Sequence, residues 1–205
     1  MSALLLRWRE TAGAGRDALG KMLIAAYEEP QRHYHNLGHV SWLLDEADCR
    51  SSAIADPVFV GYAIWFHDAV YVPGMPDNEG KSAAWARRSL PGYARLDELV
   101  HLIEMTKKHH EGEAGGDAAL FLDMDIAILG APWDEYRRYA AGIRAEYPHV
   151  PDPAFAAGRG AFLTAQLERD RLFHSDLYET EFAAQARANM GWEAAEMKFG
   201  RMVRA

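Results

Sequence analysis

Two segments of the sequence place histidine and aspartate where they can bind a metal ion. His67-Asp68 ends an apolar run that must be buried, and an unpaired buried carboxylate would cost several kcal/mol, so a cation is the simplest compensation. The alternative is that Asp68 accepts an ordinary hydrogen bond from His67 or a backbone amide. Upstream, His35 and His39 are four residues apart and share one face if both are helical. The two segments are therefore candidates for one metal site.

A third segment, residues 121–130, carries two acids in an otherwise apolar helical pattern. Asp123 and Asp125 are two residues apart, so on a helix they should face about 200° away from each other. Only one of them can then point at a given site. Asp125 is the residue that interrupts the core pattern.

The order and spacing of these residues resemble a known family. His39, then His67-Asp68, then Asp125 are similar to the H…HD…D ligand pattern of the HD superfamily of metal-dependent phosphohydrolases. The resemblance covers about residues 20–200 and extends to a bacterial subfamily of predicted HD phosphohydrolases. Its further blocks are Arg32-x-Tyr34-His35-Asn36-x-x-His39, Trp65-Phe66-His67-Asp68, Asp77-Asn78-Glu79-x-x-Ser82, Thr106-x-x-His109, Ile143-Arg144-x-Glu146-Tyr147 and Gly158-Arg159.

The resemblance implies an all-α bundle with a metal at its centre, but no particular substrate. It implies four ligands, His39, His67, Asp68 and Asp125, with Asp125 preferred to Asp123 because it precedes a Leu-bearing helix. Two imidazoles and two carboxylates leave positions open for water and a substrate oxygen. We expect a divalent cation (Mn, Fe, Co, Ni, Zn or Mg), whose identity the sequence does not decide, and hydrolysis of a small phosphorylated metabolite or nucleotide by a metal-activated water.

Several further residues are candidates for roles around this site. Asp77, Glu79 and His109 are predicted to handle protons, and Arg32, Lys107 and Arg159 to bind phosphate. His35 and Asp123 are candidates for a supporting role beside the ligands or for a second metal. Ordinary alternatives stay open: Asp77 can cap a helix that has Glu79 in its first turn, and Lys107 can oppose a helix dipole.

Two other functions are compatible with the same residues. Some HD proteins hold two irons and oxidise substrates with dioxygen, which would need extra ligands such as His35, His109 or His110. A non-catalytic metal or nucleotide sensor is the third hypothesis, favoured if six protein ligands enclose the metal.

The elements that must position these residues are helices. Apolar residues recur at spacings of three and four, and prolines stand at the proposed breaks. The residues from Val58 to Phe66 are apolar nearly all round, which predicts a buried helix ending at the HD dipeptide. The loop from Tyr71 to Asn78 is too rich in proline and glycine for regular structure. We predict one helical domain over residues 1–205, with helices at 2–11, 14–28, 36–51, 57–68, 79–90, 95–110, 117–129, 132–146, 153–171 and 178–201.

Composition narrows the class of protein. The net charge of −8 over 205 residues provides no basic field for a phosphate backbone, so nucleic acid is not an expected partner. The single cysteine, Cys49, has no thiol to pair with and fits a reducing compartment. The apolar run at residues 3–6 is too short for a membrane span or a signal-peptide core. We expect a cytoplasmic protein that folds alone or as a simple homo-oligomer.

Overall fold

A computed structural model describes residues 2–109 and 114–203, and over those residues the chain forms ten α-helices and no strand. The prediction of an all-α fold is confirmed. None of the described helices combines the length and the apolarity that a membrane span requires. The helices are α1 (Ala3–Ala12), α2 (Asp17–Tyr27), α3 (Leu37–Cys49), α4 (Pro57–Phe66), α5 (Asn78–Ser89), α6 (Leu96–Met105), α7 (Gly116–Ile126), α8 (Trp133–Glu146), α9 (Asp152–Leu167) and α10 (Asp176–Lys198).

The described residues divide into two compact units. The first runs to Leu122 and the second begins at Asp123, so the division falls inside the continuous helix α7. The prediction of one domain over residues 1–205 stays a prediction.

Helix α4 forms the centre of the first unit. Its residues from Phe59 to Phe66 are all buried, as expected for a segment that is apolar on every side. Trp8 of α1 packs edge-on against Trp65, with ring centroids 5.6 Å apart, and is itself fully buried. Gly20 of α2 lies so close to Trp8 that a Cβ there would overlap the indole ring. These contacts fix α4, and with it the position of the dipeptide that follows.

The start of α4 is held by two aspartates. Asp56 is its N-cap residue and accepts a hydrogen bond from the Phe59 amide at 3.0 Å. The Asp117 carboxylate accepts from the amides of Ala55 and Asp56, at 2.7 and 2.8 Å. Arg95 pairs with the Asp56 carboxylate at 3.0 Å. The helix that leads to His67 is therefore capped and anchored at its first turn.

In the second unit, α10 packs along α9 and against the turn Ala127–Gly130. Asn189 of α10 donates to the carbonyls of Leu129 and Ala131, both at 2.9 Å. Gly130 allows the close approach, because a Cβ there would lie 2.7 Å from the backbone oxygen of Phe182. These bonds satisfy backbone carbonyls at the end of this 3-10 turn and directly after it.

Candidate metal centre

His39 and His67 face each other through their ring nitrogens. Asn36 caps α3 by accepting from the Gly38 amide at 2.8 Å, and this places His39 in the first turn of the helix. His67 follows the last residue of α4. The two Nε2 atoms are 3.3 Å apart, and the residues are 6% and 1% exposed. Two nitrogens about 2.1 Å from one ion can lie at most about 4.2 Å apart, so this spacing suits a shared metal.

The tautomer of His67 is set by a backbone group. Its Nδ1 lies 3.0 Å from the carbonyl oxygen of Ile64, which can only accept a hydrogen bond. Nδ1 therefore carries a proton, and in the neutral ring the lone pair is on Nε2, which faces His39. A histidine whose other nitrogen is fixed by a carbonyl is the usual arrangement of a metal ligand.

Helix α7 supplies the third donor. The Phe121 ring contacts that of His67 at 5.5 Å between centroids, and Asp125, four residues further along the same helix, shares that face. His39, His67 and Asp125 each offer a ligand atom, and all three atoms lie within 4.8 Å of one another. Two buried imidazoles and a half-buried carboxylate form a group that can hold a metal ion.

Asp68, the fourth predicted ligand, lies against His67. Its Oδ2 lies 3.2 Å from His67 Nε2, and its side chain is 15% exposed. It is outside the set of three whose donor atoms lie within 4.8 Å of one another. The Nε2 atom of His67 therefore faces His39 and Asp68 together.

His35 lies beside this group. Its ring packs on that of Tyr71, with centroids 4.3 Å apart, and stands edge-on to His39 at 6.1 Å. His35 is half-buried, and Tyr71 is buried. His35 is not in the group of three, and its supporting role stays a prediction.

Asp123 holds the backbone at the start of α10. Its buried carboxylate accepts from the backbone amides of His174 and Ser175, at 2.6 and 2.8 Å, immediately before α10. Burial raises the pKa of Asp123, and the bonds from Ser175 and His174 oppose this. Asp123 thus braces the start of α10, because its side chain leaves α7 on another face than Asp125. Its predicted supporting role or second-metal role stays a prediction.

The burial and the contacts of the Arg32 side chain do not favour its predicted role in phosphate binding. Its side chain is fully buried, and its Nε pairs with Glu29 at 3.0 Å. Its other nitrogens donate to the carbonyls of His35, Asp68 and Ala69. The donors that would bind phosphate are used on the protein's own backbone.

The guanidinium of Arg159 is likewise bound to groups of the protein, and its predicted role in phosphate binding stays a prediction. Its guanidinium binds Glu193 in a bidentate manner, at 2.9 and 3.0 Å, and donates to the Tyr139 hydroxyl at 3.2 Å. Tyr136 donates a further hydrogen bond to Glu193. The buried guanidinium has its pKa raised: desolvation lowers it, and Tyr139 and Glu193 outweigh this. Arg159 therefore balances a buried carboxylate inside the second unit.

The remaining predicted residues lie at the loop after the HD dipeptide and at the end of α6. Asp77 precedes α5 with a left-handed backbone (φ 86°) and makes no side-chain cap. It pairs instead with Lys107 at 3.7 Å, and both are exposed.

Glu79 is half-buried in the first turn of α5, and His109 is half-buried after the turn Thr106–Lys108. None of the four belongs to the metal-binding group. His110, the candidate extra ligand for a second iron, lies outside the described residues.

Three contacts that shape the site were missed in the sequence. Asn78 accepts from the Val72 amide and donates to its carbonyl, at 3.1 and 3.0 Å. Ser82 does the same for Val70, at 3.0 and 3.3 Å. Asn78 and Ser82 both belong to the block that begins at Asp77. Their partners, Val72 and Val70, lie in a segment without helical periodicity. The third contact, between His67 and Ile64, follows helical spacing and was open to prediction.

Comparison with protein-family models, with curated proteins and with solved structures returns no match for this chain.

Proposed function

We propose that the protein is a metal-dependent hydrolase, and specifically a phosphohydrolase acting on a small phosphorylated metabolite or nucleotide. The observation that carries the proposal is the convergence of His39, His67 and Asp125, with Asp68 against His67. Neutral imidazoles and carboxylates from separate segments are a donor set for a divalent cation.

His39, His67 and Asp125 would hold the ion, with Asp68 as the fourth ligand. A bound divalent ion supplies Lewis acidity, which activates water and neutralises charge on a phosphoryl oxygen. In the neutral ring, the Ile64 carbonyl holds the proton of His67 on Nδ1, so that Nε2 would be available to the ion. Glu79 and His109 are the proposed proton carriers.

The proposal of an anionic substrate rests on Lys107. Of the three cations predicted to bind phosphate, Lys107 has the exposed side chain, at 49%, whereas those of Arg32 and Arg159 are 0% and 8% exposed. Its weak partner, Asp77, is itself 61% exposed. An exposed ion pair contributes about 0–1 kcal/mol, so an incoming phosphate can displace it.

Metal analysis of protein purified without chelator, followed by assays on a panel of phosphoesters and nucleotides with each candidate metal, tests the proposal. We expect about one divalent ion per chain and metal-dependent phosphate release. His67→Ala should lose both, while the matched control His101→Ala, which changes an exposed histidine of α6, should keep both.

Two results would contradict the proposal. Wild-type protein that binds no divalent metal would remove its basis. Two redox-active irons per chain with oxygen consumption would favour the oxygenase alternative instead.

A further inference from the structure

We propose that Arg32 is a positioning residue of the metal centre, whose guanidinium sets the spacing of His39 and His67 by binding the backbone beside both. The inference rests on the proposed function, because it assigns Arg32 a part in metal binding. It also replaces the role of phosphate ligand that the sequence predicts for this residue.

The guanidinium bridges two segments that carry ligands. Its Nη1 donates to the carbonyl of His35 at 3.0 Å and to that of Asp68 at 2.7 Å, and its Nη2 donates to that of Ala69 at 3.2 Å. His35 lies just before α3, which carries His39, and Asp68 directly follows His67. One planar group therefore fixes both backbones relative to each other.

Arg32 is itself held in place. Its side chain is 0% exposed, and the guanidinium carbon lies 5.0 Å from the centre of the Tyr27 ring and 5.5 Å from that of Tyr71. The Tyr27 hydroxyl contacts the carbonyl of Trp65 at 3.4 Å. The bridge is thus enclosed by aromatic side chains from α2 and from the loop after the HD dipeptide.

The bridged carbonyls lie where the chain has left helical geometry. Helix α4 ends at Phe66, and the carbonyls of Asp68 and Ala69 lie beyond its last residue, where Arg32 donates to both. A cation at the end of a helix also opposes its dipole. Without Arg32, the segment carrying His67 and Asp68 would lose its anchor to the segment carrying His39.

Lysine cannot replace this contact. The guanidinium presents five donors in a rigid plane, whereas the lysine ammonium places three donors on a single nitrogen. Arg32→Lys therefore keeps the charge but loses the geometry. Arg32→Ala removes both and leaves a cavity that free guanidinium can fill.

The matched control is Glu29→Gln. Glu29 is the carboxylate partner of Arg32, and its side chain is 44% exposed. This substitution removes the ion pair and leaves the three carbonyl contacts in place. The variant therefore separates the effect of losing the ion pair on metal affinity from the effect of losing the carbonyl contacts.

The experiment measures the affinity for Zn²⁺ and for Mn²⁺ by calorimetry, using the tighter of the two for all variants. We expect Arg32→Lys and Arg32→Ala to bind about 10- to 100-fold more weakly, as is usual when a partner that supports metal ligands is lost. Glu29→Gln should stay within about threefold. Guanidinium chloride at millimolar concentration should restore part of the affinity of Arg32→Ala, and sodium chloride at equal ionic strength should not.

The outcomes separate this inference from the function it rests on. Wild-type protein that binds neither metal overturns both. Wild-type protein that binds while folded Arg32→Lys binds equally well overturns the inference alone. An Arg32→Lys variant with a raised KM and unchanged metal affinity would return the residue to phosphate binding. If circular dichroism shows Arg32→Ala unfolded, Arg32→Lys decides the question.

Discussion

At the scale of single residues, the chemistry centres on the imidazole of His67. One nitrogen is bound to a backbone carbonyl three residues earlier, and the other faces both His39 and Asp68. This arrangement leaves His67 little freedom to rotate. The donor atom of the ring is therefore fixed by the chain itself before any ligand arrives.

Glu79→Gln is expected to slow hydrolysis without weakening metal binding. Glu79 lies outside the metal-binding group, and a neutral isostere cannot accept or donate a proton. A general acid or base contributes about 100- to 10,000-fold. Steady-state rates and calorimetry on the same preparation measure the two effects separately, and one limb of the pH–rate curve should flatten.

The matched control for this prediction is Glu135→Gln, which changes an acid in the first turn of α8. It should leave the rate unchanged. A loss of less than about threefold at Glu79 would show that it serves only the positive end of α5.

Residue types and spacing predicted part of the site. Helical geometry separated Asp123 from Asp125 correctly, since one braces α10 and the other joins the histidines. The roles of Arg32 and Arg159 could not be predicted in this way. A guanidinium that binds backbone carbonyls or a distant carboxylate leaves no pattern near itself in the sequence.

At the scale of elements, the N-cap of α4 links stability to pH. Burial raises the pKa of Asp56, and bonds from the Phe59 amide and Arg95 outweigh this, so the pKa lies below its usual range. A depressed pKa means that the carboxylate stabilises the folded chain above about pH 4, and that this stability is lost as the pH falls through the folded-state pKa.

Asp56→Ala should lower the free energy of unfolding by about 0.5–2 kcal/mol at neutral pH. Asp56→Asn keeps a cap acceptor and loses only the charge that pairs with Arg95, so it should cost less. Urea unfolding at several pH values measures both. The gap between wild type and Asp56→Asn should close in acid, and a gap independent of pH would contradict the ion-pair contribution.

Gly20→Ala is expected to destabilise the first unit. A Cβ at this position would overlap the buried ring of Trp8, and overpacking of this kind costs about 1–3 kcal/mol. Thermal unfolding followed by circular dichroism measures the change. Gly15→Ala is the control, because no atom lies within 4 Å of its Cβ position. Equal stability of the two variants would mean that Trp8 moves aside without cost.

Helix positions were predictable to within a few residues, and helix ends less so. The expected helix over 57–68 ends at Phe66, and the one over 95–110 ends at Met105. In the first case the chain turns so that side-chain partners such as Arg32 and Ser82 can bind its backbone. Such distant partners are not visible in local periodicity.

At the scale of the whole chain, a bound ion should raise stability. An ion that binds only the folded protein adds about 2.7 kcal/mol when its free concentration is 100 times the Kd. Thermal unfolding with and without the metal measures this, and a chelator should reverse it. His67→Ala should show no such shift, and a shift of equal size in that variant would place the ion elsewhere.

Two further predictions concern the whole chain: that nucleic acid is not a partner and that the protein is cytoplasmic. Both stay predictions. The net charge of −8 disfavours nucleic acid, and the described helices include no candidate membrane span. Substrate shape depends on loops, which follow no repeating pattern, so the sequence defines the chemistry of the site more closely than the molecule it acts on.

The spacing of the three donor residues along the chain affects the order in which the site can form. His39 and His67 are 28 residues apart, whereas Asp125 comes 58 residues after His67 (125 − 67). During synthesis the two histidines leave the ribosome well before the aspartate does, and α7 has to form before all three donors are present. An ion that needs all three can bind only late in folding, and it should slow unfolding more than it speeds folding.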